Sequence, residues 1–66
     1  MAEYVRNKVQ LFRERTGHTQ EELAKSVGVS RQTIIAIEKG NYTPSVLLAL
    51  KLARHFKSHV DDIFTI

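Results

Sequence analysis

Apolar side chains recur at intervals of three and four residues along almost the whole of this 66-residue chain. Such spacing places them on one face of an α-helix, and no stretch alternates apolar and polar residues long enough to predict an internal sheet. A chain of this length buries only about 60% of the surface that it exposes when unfolded. The sequence contains no cysteine, so disulfides cannot add stability. We therefore expect an all-α bundle that gains stability by pairing with a second copy.

Composition restricts the partners only weakly. The formal net charge is +3 and the sequence pI is about 9.6, which favours a polyanionic partner without identifying one. No apolar run approaches the roughly 20 residues that span a bilayer, and the segment from Met1 to Arg6 lacks the apolar centre of a secretion signal. The expectation is a cytoplasmic protein without a membrane contact.

The first helix is indicated by Val5, Val9 and Phe12, which stand at positions i, i+4 and i+7. It runs to about Arg15 and stops before Gly17. The second helix begins at Gln20, because Thr19 and Glu22 have the spacing of a capping box. Its apolar face consists of Leu23, Ala24 and Val27.

Gly28 ends the second helix, since glycine adopts the left-handed conformation without a Cβ penalty. Ser30 caps a third helix of about eight residues, in which Ile34 and Ile37 face inward and Gly40 provides the stop. Two short helices joined by a glycine-containing turn of three or four residues form a helix-turn-helix, here residues 20–38.

The C-terminal part predicts a fourth helix capped by Ser45 and ending near Lys57. Its expected inward stripe comprises Val46, Ala49, Leu50, Ala53 and Phe56. Val60, Ile63 and Phe64 allow one more helical turn, and Thr65 with Ile66 form a possible terminal strand. The segment from Tyr4 to Arg6 is the candidate partner of a strand at 64–66.

The outward face of the third helix carries side chains suited to reading bases. Arg31 can bond twice to guanine, Gln32 can bond twice to adenine, and Ile35 can contact the thymine methyl group. Ser30, Thr33 and Ala36 lie beside them. The same side chains would be ordinary solvated residues if this helix faced only water.

Residues from about Asn7 to Phe64 resemble the Cro and phage-repressor family of helix-turn-helix proteins, including its very short members. The resemblance rests on four segments that follow the family pattern in order and spacing: residues 19–24, 28–34, 37–40 and 42–45. It implies five helices and a domain that dimerises and acts as a repressor. Where that family has Gly and then Ser or Thr after the fourth helix, this chain has Lys57 and His59, so the last turn is expected to fray.

The resemblance also implies roles for individual residues. Gln20 would bind a phosphate, for which the positive end of a helix is suited. Arg31 and Gln32 would read bases, and Ala36 joins them as a candidate from its place on the outward face. Ile35 departs from the family, which usually has a small or polar residue there, so thymine contact, partner contact and no contact are all open for it. The residues that would contact or support the DNA backbone are Thr19, Gln20, Ser30, Thr33, Lys39, Asn41 and Thr43. Arg13 would pair with Glu38 and set the angle between the first and third helices.

Leucines exceed what one helical stripe needs. Leu47, Leu48 and Leu52 would expose apolar surface unless a partner covers them, so residues 45–66 are predicted to contain a twofold dimer interface. Ile63, Phe64 and Ile66 complete that predicted interface. The alternative is that the apolar stripe is simply wide.

No metal, cofactor or catalytic site is predicted. His55 and His59 stand four residues apart, yet the fourth helix ends between them and no further ligand is placed to complete a site. No nucleophile, base and orienting group form a recognisable arrangement. His18 receives no role.

Two hypotheses follow for residues 1–66, taken as one domain. The first is a homodimeric repressor that binds a pseudo-palindromic operator on double-stranded DNA. The second is a protein-interaction module, such as an antitoxin or bridging factor, that uses the face of helix 45–56.

Overall fold

The computed structural model describes residues 3–66, and it contains five helices and one pair of short strands. In chain order the elements are β1 (Arg6–Asn7), α1 (Val9–Thr16), α2 (Gln20–Val27), α3 (Arg31–Glu38), α4 (Val46–His55), α5 (Val60–Ile63) and β2 (Phe64–Thr65). The predicted all-α fold with a terminal strand pair is confirmed. Across residues 3–66, none of the helices has the length and apolarity needed to cross a membrane.

Helices α2, α3 and α4 begin at the caps that the sequence predicts. Thr19 and Glu22 form the capping box: the Thr19 hydroxyl oxygen accepts the Glu22 N–H at 3.1 Å, and the Glu22 carboxylate accepts the Thr19 N–H at 2.8 Å. Ser30 and Ser45 accept backbone N–H groups at the starts of α3 and α4 in the same way. These bonds satisfy amide groups that have no partner inside the helix, and so they define the helix ends.

The turn between α2 and α3 depends on Gly28. Its φ is 74°, in the left-handed region, and this lets the Val29 N–H return to the Ala24 carbonyl at 3.0 Å. That bond closes α2 and directs the chain into α3 after three residues, 28–30.

Lys57 occupies the corresponding position after α4, where it replaces the expected glycine. Its φ is 54°, and Ser58 closes the helix by donating to the Ala53 carbonyl at 2.9 Å. The turn predicted to fray also carries a cap, because the Asp62 carboxylate accepts the His59 N–H at 2.9 Å. The geometry of the turn is therefore kept at the expense of left-handed strain on a lysine.

Replacing Lys57 by glycine is expected to stabilise the protein by about 0.5 to 1 kcal/mol. Relief of left-handed strain of roughly 1 to 2 kcal/mol outweighs the greater backbone entropy of glycine in the unfolded chain. Urea unfolding measures the difference, and Lys25→Gly, in the last turn of α2, is the control that should destabilise. A Lys57→Gly protein with a lower midpoint than the wild type would contradict the assignment of strain.

The core is a single cluster contributed by every helix and by β2. The buried residues are Val9, Leu23, Ala24, Val27, Ile34, Ile37, Leu48, Leu52, Ala53, Ile63 and Phe64. Half-buried Phe12 and Phe56 pack against this cluster with their ring centroids 5.6 Å apart. Within this interior α2 packs against both α3 and α4, α1 packs against α3, and α4 packs against α5.

The N-terminal segment differs from the helix predicted to include Val5. Helix α1 begins only at Val9, whose N–H donates to the Asn7 side-chain oxygen at 3.1 Å. Arg6 and Asn7 instead pair antiparallel with Thr65 and Phe64 respectively. Periodicity alone could not exclude an extended backbone here, because Val5 can contact the core from an extended segment as well as from a helix.

The stripe predicted for α4 is wrong in part. Val46 and Leu50, expected inside, are 77% and 53% exposed. Leu48 and Leu52, expected at an interface, are 6% and 0% exposed and belong to the core. Residues 46–50 are apolar without interruption, so spacing did not determine which face turns inward. Packing against α2 and α5 decides it.

The same correction applies to the last residues of the predicted interface. Ile63 and Phe64 are 1% and 9% exposed within a single chain, while Ile66 is 86% exposed. The side chains that remain available to a partner are Leu47 and Ile66 from the predicted set, and Val46 and Leu50 from the stripe that was expected inside.

Candidate nucleic-acid interface

Helices α2 and α3 form a closely packed pair around fully buried apolar side chains. Leu23 on α2 and Ile34 and Ile37 on α3 are each 0% exposed. The two isoleucines lie three residues apart, so they hold one face of α3 against the core. The opposite face of this eight-residue helix is left at the surface.

That outer face presents the predicted base-reading residues to different degrees. Arg31 and Gln32 are exposed at the N-terminal end of α3. Ile35 and Ala36 are half-buried, one turn further along. The two polar side chains can therefore extend outward, while the two apolar ones present a flatter surface close to the helix axis.

A surface cleft brings together residues from α1, α2 and α3. Its lining comprises Arg13, Thr19, Gln20, Glu21 and Arg31. Three of these, Thr19, Gln20 and Arg31, were predicted to contact DNA, although nothing in the sequence places Arg31 beside the start of α2. Because Thr19 uses its hydroxyl oxygen to accept the Glu22 N–H at 3.1 Å, its own proton is available for a phosphate.

Arg13 and Glu38 form an ion pair that joins α1 to the end of α3. Arg13 Nε lies 2.7 Å from Glu38 Oε2, and Arg13 Nη2 lies 3.2 Å from Glu38 Oε1, a two-point geometry. Arg13 Nη1 also donates to the His18 carbonyl at 2.8 Å. The hydrogen bond to Glu38 is the main reason that the pKa of Arg13 is raised. The side chains are only 13% and 4% exposed, so the pair is shielded from water.

Gln20 extends this ion pair. Its Nε2 donates to Glu38 Oε1 at 3.0 Å, so the carboxylate receives bonds from both Arg13 and Gln20. One N–H of the Gln20 amide is thereby engaged, and the second is left for a phosphate at the half-buried start of α2. The bond to Glu38 also holds the Gln20 amide in one orientation.

The other edge of α3 faces the loop that follows it. Thr33 lines a second cleft together with Tyr42, Ser45 and Leu47. The hydroxyls of Ser30 and Thr33 lie 3.0 Å apart and bond to each other. Thr33 is therefore separated from the cleft that contains Gln20, and the residues predicted to contact the DNA backbone lie on two sides of α3.

Lys39, Asn41 and Thr43 are exposed in the loop between α3 and α4. The Asn41 backbone N–H donates to the Ala36 carbonyl at 2.9 Å, which ties the start of the loop to the helix. The loop also contains Tyr42, 47% exposed, to which the sequence assigned no role. Its position beside Thr33 could be recognised only from the fold.

His18 and His55 are a contact that sequence reasoning missed. His55 Nε2 and His18 Nδ1 lie 3.4 Å apart, and the His55 ring packs against Phe56 with centroids 5.3 Å apart. The pair joins the turn before α2 to the end of α4, 37 residues away in sequence. Burial, and then the neighbouring His18, lowers the pKa of His55 below its ordinary value of 6.5. The cations Lys25, Lys51 and Arg54 line a cleft with His55.

The stability of the protein is expected to fall as the pH decreases below about 6.5. Because the pKa of His55 is lowered in the folded state, the unfolded chain binds this proton more readily, and protonation favours unfolding. Stability is therefore full above the unfolded value and declines toward the lowered one. Urea midpoints at about pH 7.5 and about pH 5.5 measure the decline.

His55→Gln should reduce this pH dependence, because it removes the titrating group. His59→Gln is the matched control, since His59 is exposed and lies outside the histidine pair. Equal declines in the wild type and in His55→Gln would contradict the role of His55.

Two kinds of comparison place the chain among known proteins. The family described as Helix-turn-helix matches residues 9–63. The HTH-type transcriptional regulator YgzD of Bacillus subtilis, described as uncharacterized, is 52% identical over 60 residues, which cover 91% of each chain. A regulator of the same description from Methanocaldococcus jannaschii is 55% identical over 60 residues, again 91% of each chain.

A solved structure is similar to this chain as well. The restriction-modification controller protein C.AhdI from Aeromonas hydrophila superposes with a TM-score of 0.75 at 28% identity, and the match covers 82% of this chain and 78% of the controller. Its likeness extends over most of the five helices described above. Together with the matched family and the regulators, it shows that this chain belongs to the Cro/C1-type helix-turn-helix family of DNA-binding transcriptional regulators.

Proposed function

We propose that this chain binds double-stranded DNA in a sequence-specific manner by placing α3 in the major groove. The observation that carries the proposal is the division of α3 into two faces. Ile34 and Ile37 are wholly buried, whereas Arg31 and Gln32 are exposed at the end that would enter the groove first. Both side chains can make two-point hydrogen bonds to base edges, so they are the proposed specificity residues, with Ile35 and Ala36 facing thymine methyl groups.

Residues on both sides of α3 would contact the phosphates of the DNA backbone. On one side are Gln20 and Thr19, at the positive end of α2. On the other side, Ser30, Thr33 and the exposed loop residues supply hydroxyl, amide and ammonium donors. The loop donors are Lys39, Asn41 and Thr43. Contacts on both flanks would hold α3 in register with the bases.

The proposed assembly is a homodimer that covers a pseudo-palindromic operator. Val46, Leu47 and Leu50 expose 77%, 63% and 53% of their surface on α4. A twofold axis near this apolar surface would bury it in both copies. Two recognition helices would then enter successive major grooves about 34 Å apart. Repression would follow from occupancy of the operator, a role in keeping with the likeness to a controller protein.

Selection of bound sequences from a random DNA pool, followed by binding measurements at several salt concentrations, tests this function. We expect two inverted half-sites and a linear fall of log affinity with log salt, with a slope of about −0.9 for each neutralised phosphate. A slope near zero, or a pool without enrichment, would refute it.

Arg31→Ala is expected to weaken binding to the selected site by roughly 1 to 3 kcal/mol, which is about a 5- to 150-fold loss. The loss should be accompanied by relaxed preference at one base pair, because the two-point bond to guanine disappears. Arg54→Ala removes the same charge from the end of α4 and serves as the control. An equal loss on every sequence would instead make Arg31 a phosphate contact.

The dimer is tested by Leu47→Lys, which places a charge in the proposed interface. Light scattering should report a monomer, and affinity for the complete operator should fall toward that for a half-site. Leu11→Lys is the matched control, since Leu11 is 44% exposed on α1 and not on α4. A wild-type monomer with an open leucine face would favour the alternative of a protein-interaction module.

A further inference from the structure

Asn7, in β1, contacts three other parts of the chain. Its Nδ2 donates to the Ile37 carbonyl at 2.9 Å, across 30 residues of sequence. Its Oδ1 accepts the Val9 N–H at 3.1 Å, at the start of α1. Its backbone stands opposite Phe64 in the strand pair. One half-buried side chain thus contacts the beginning of α1 and the end of α3 while its backbone holds the C-terminal strand.

The carbonyl that Asn7 contacts belongs to the last turn of α3. Ile37 is 0% exposed, and its carbonyl also accepts the Gly40 N–H at 3.0 Å. The next residue, Glu38, is held by Arg13 through its side chain. Two neighbouring residues of α3 are therefore held by one side chain from β1 and one from α1. Only the Arg13 contact was predicted from the sequence.

The residue after Asn7 is hydrogen-bonded to the core. Lys8, the next residue, donates its N–H to the Ile63 carbonyl at 2.8 Å, and Ile63 is only 1% exposed. A shift of residues 6–8 would therefore break the Lys8–Ile63 hydrogen bond and disturb the strand pair. Through the amide of Asn7, the position of the terminal strands bears on the end of the recognition helix.

Small rotations of this helix have large consequences for base contacts. Eight residues at 1.5 Å each make α3 about 12 Å long. A rotation of about 10° around its C-terminal end would move Arg31 by about 2 Å, which exceeds the tolerance of a hydrogen bond.

We propose that Asn7 is a positioning residue for sequence recognition, which couples the terminal strand pair to the C-terminal end of α3. The inference rests on the proposed DNA-binding function for its effect on specificity. The side chain must donate and accept at once, a combination that an amide provides. Serine keeps the acceptor but cannot reach Ile37, and aspartate keeps the shape but lacks the donor.

Two variants, Asn7→Ser and Asn7→Asp, test whether Asn7 positions α3. The control Ser45→Ala shows what a general loss of stability does by itself. Ser45 caps α4 through the Leu48 N–H at 3.1 Å, so its loss destabilises a helix other than α3. All proteins are compared at a temperature where each is folded.

The first readout needs no DNA. Amide hydrogen exchange at Gly40 and Asn41, the residues that close α3, should accelerate about three- to tenfold in both Asn7 variants and remain unchanged in Ser45→Ala. Equal exchange rates at these amides in Asn7→Ser and Ser45→Ala would show that the bond from Asn7 to the Ile37 carbonyl does not hold the end of α3, whatever the protein binds.

The second readout is the ratio of affinities for the selected site and for a site altered at the bases under α3. This ratio should fall about fivefold or more in the Asn7 variants and stay at the wild-type value in Ser45→Ala. Faster exchange with an unchanged ratio would reduce Asn7 to a structural residue and overturn the proposal. A wild-type protein that prefers no DNA sequence would refute the proposed function. The exchange experiment would still decide whether Asn7 holds the end of α3.

Discussion

Arg13→Met is expected to lower the free energy of unfolding by about 3 kcal/mol. The change leaves the Glu38 carboxylate, whose side chain is 4% exposed, with the Gln20 amide but without its cation. Breaking a buried pair from one side typically costs 3 to 5 kcal/mol, because an uncompensated charge stays inside; we take the lower end since Arg13 retains some contact with water. For a domain of this size the melting temperature should fall by roughly 20 °C.

Two further variants define what this loss means. Arg15→Met, on the same helix, removes an exposed cation that lies 5.4 Å from the Phe12 ring and should cost only about 0.5 to 1 kcal/mol. The double variant Arg13→Met, Glu38→Met should regain most of the lost stability, because two apolar side chains replace the ion pair. If the double variant folds but binds its operator weakly, the ion pair serves mainly to orient α3. If Arg13→Met melts at the same temperature as the wild-type protein, loss of Arg13 does not leave an uncompensated buried charge on Glu38, and the prediction is wrong.

Leu52→Ala is expected to destabilise the protein by about 3 kcal/mol or more. Leu52 is 0% exposed within one chain, and removal of its side chain from the core leaves a cavity that its neighbours fill only in part. The loss should appear in urea unfolding at every protein concentration, because no partner chain is needed to bury this residue.

Leu47→Ala is the matched control, on the same helix and with the same change in side chain. Leu47 is 63% exposed, so its loss should alter the stability of one chain by no more than about 0.5 kcal/mol. Its effect should instead depend on protein concentration if Leu47 lies in a dimer interface. Equal losses for the two variants would contradict the orientation of α4.

Local signals in the sequence were sufficient to place the starts of α2, α3 and α4. Thr19, Ser30 and Ser45 cap the helices that they were predicted to cap, since each side chain is three residues from the amide that it accepts. Gly28 adopts the predicted left-handed conformation for the same local reason. These interactions need no information from elsewhere in the chain.

Long-range features were predictable only where a family pattern supplied them. The pairing of Arg13 with Glu38 came from the resemblance, whereas Asn7 with Ile37 and His18 with His55 had no such pattern to reveal them. Spacing along a sequence carries no signal for a contact between residues 30 or 37 positions apart. The cleft that joins Arg31 to Gln20 was hidden in the same way.

The sequence by itself determined that the chain is helical, where most helices begin and end, and that residues 20–38 form a helix-turn-helix, because helical periodicity and capping act within a few residues. Only the tertiary structure decided which face of α4 lies inside, since residues 46–50 are apolar all round and either face could pack. It also decided that Arg6 and Asn7 form a strand, because that choice depends on a backbone partner at Phe64 and Thr65, nearly the whole chain away.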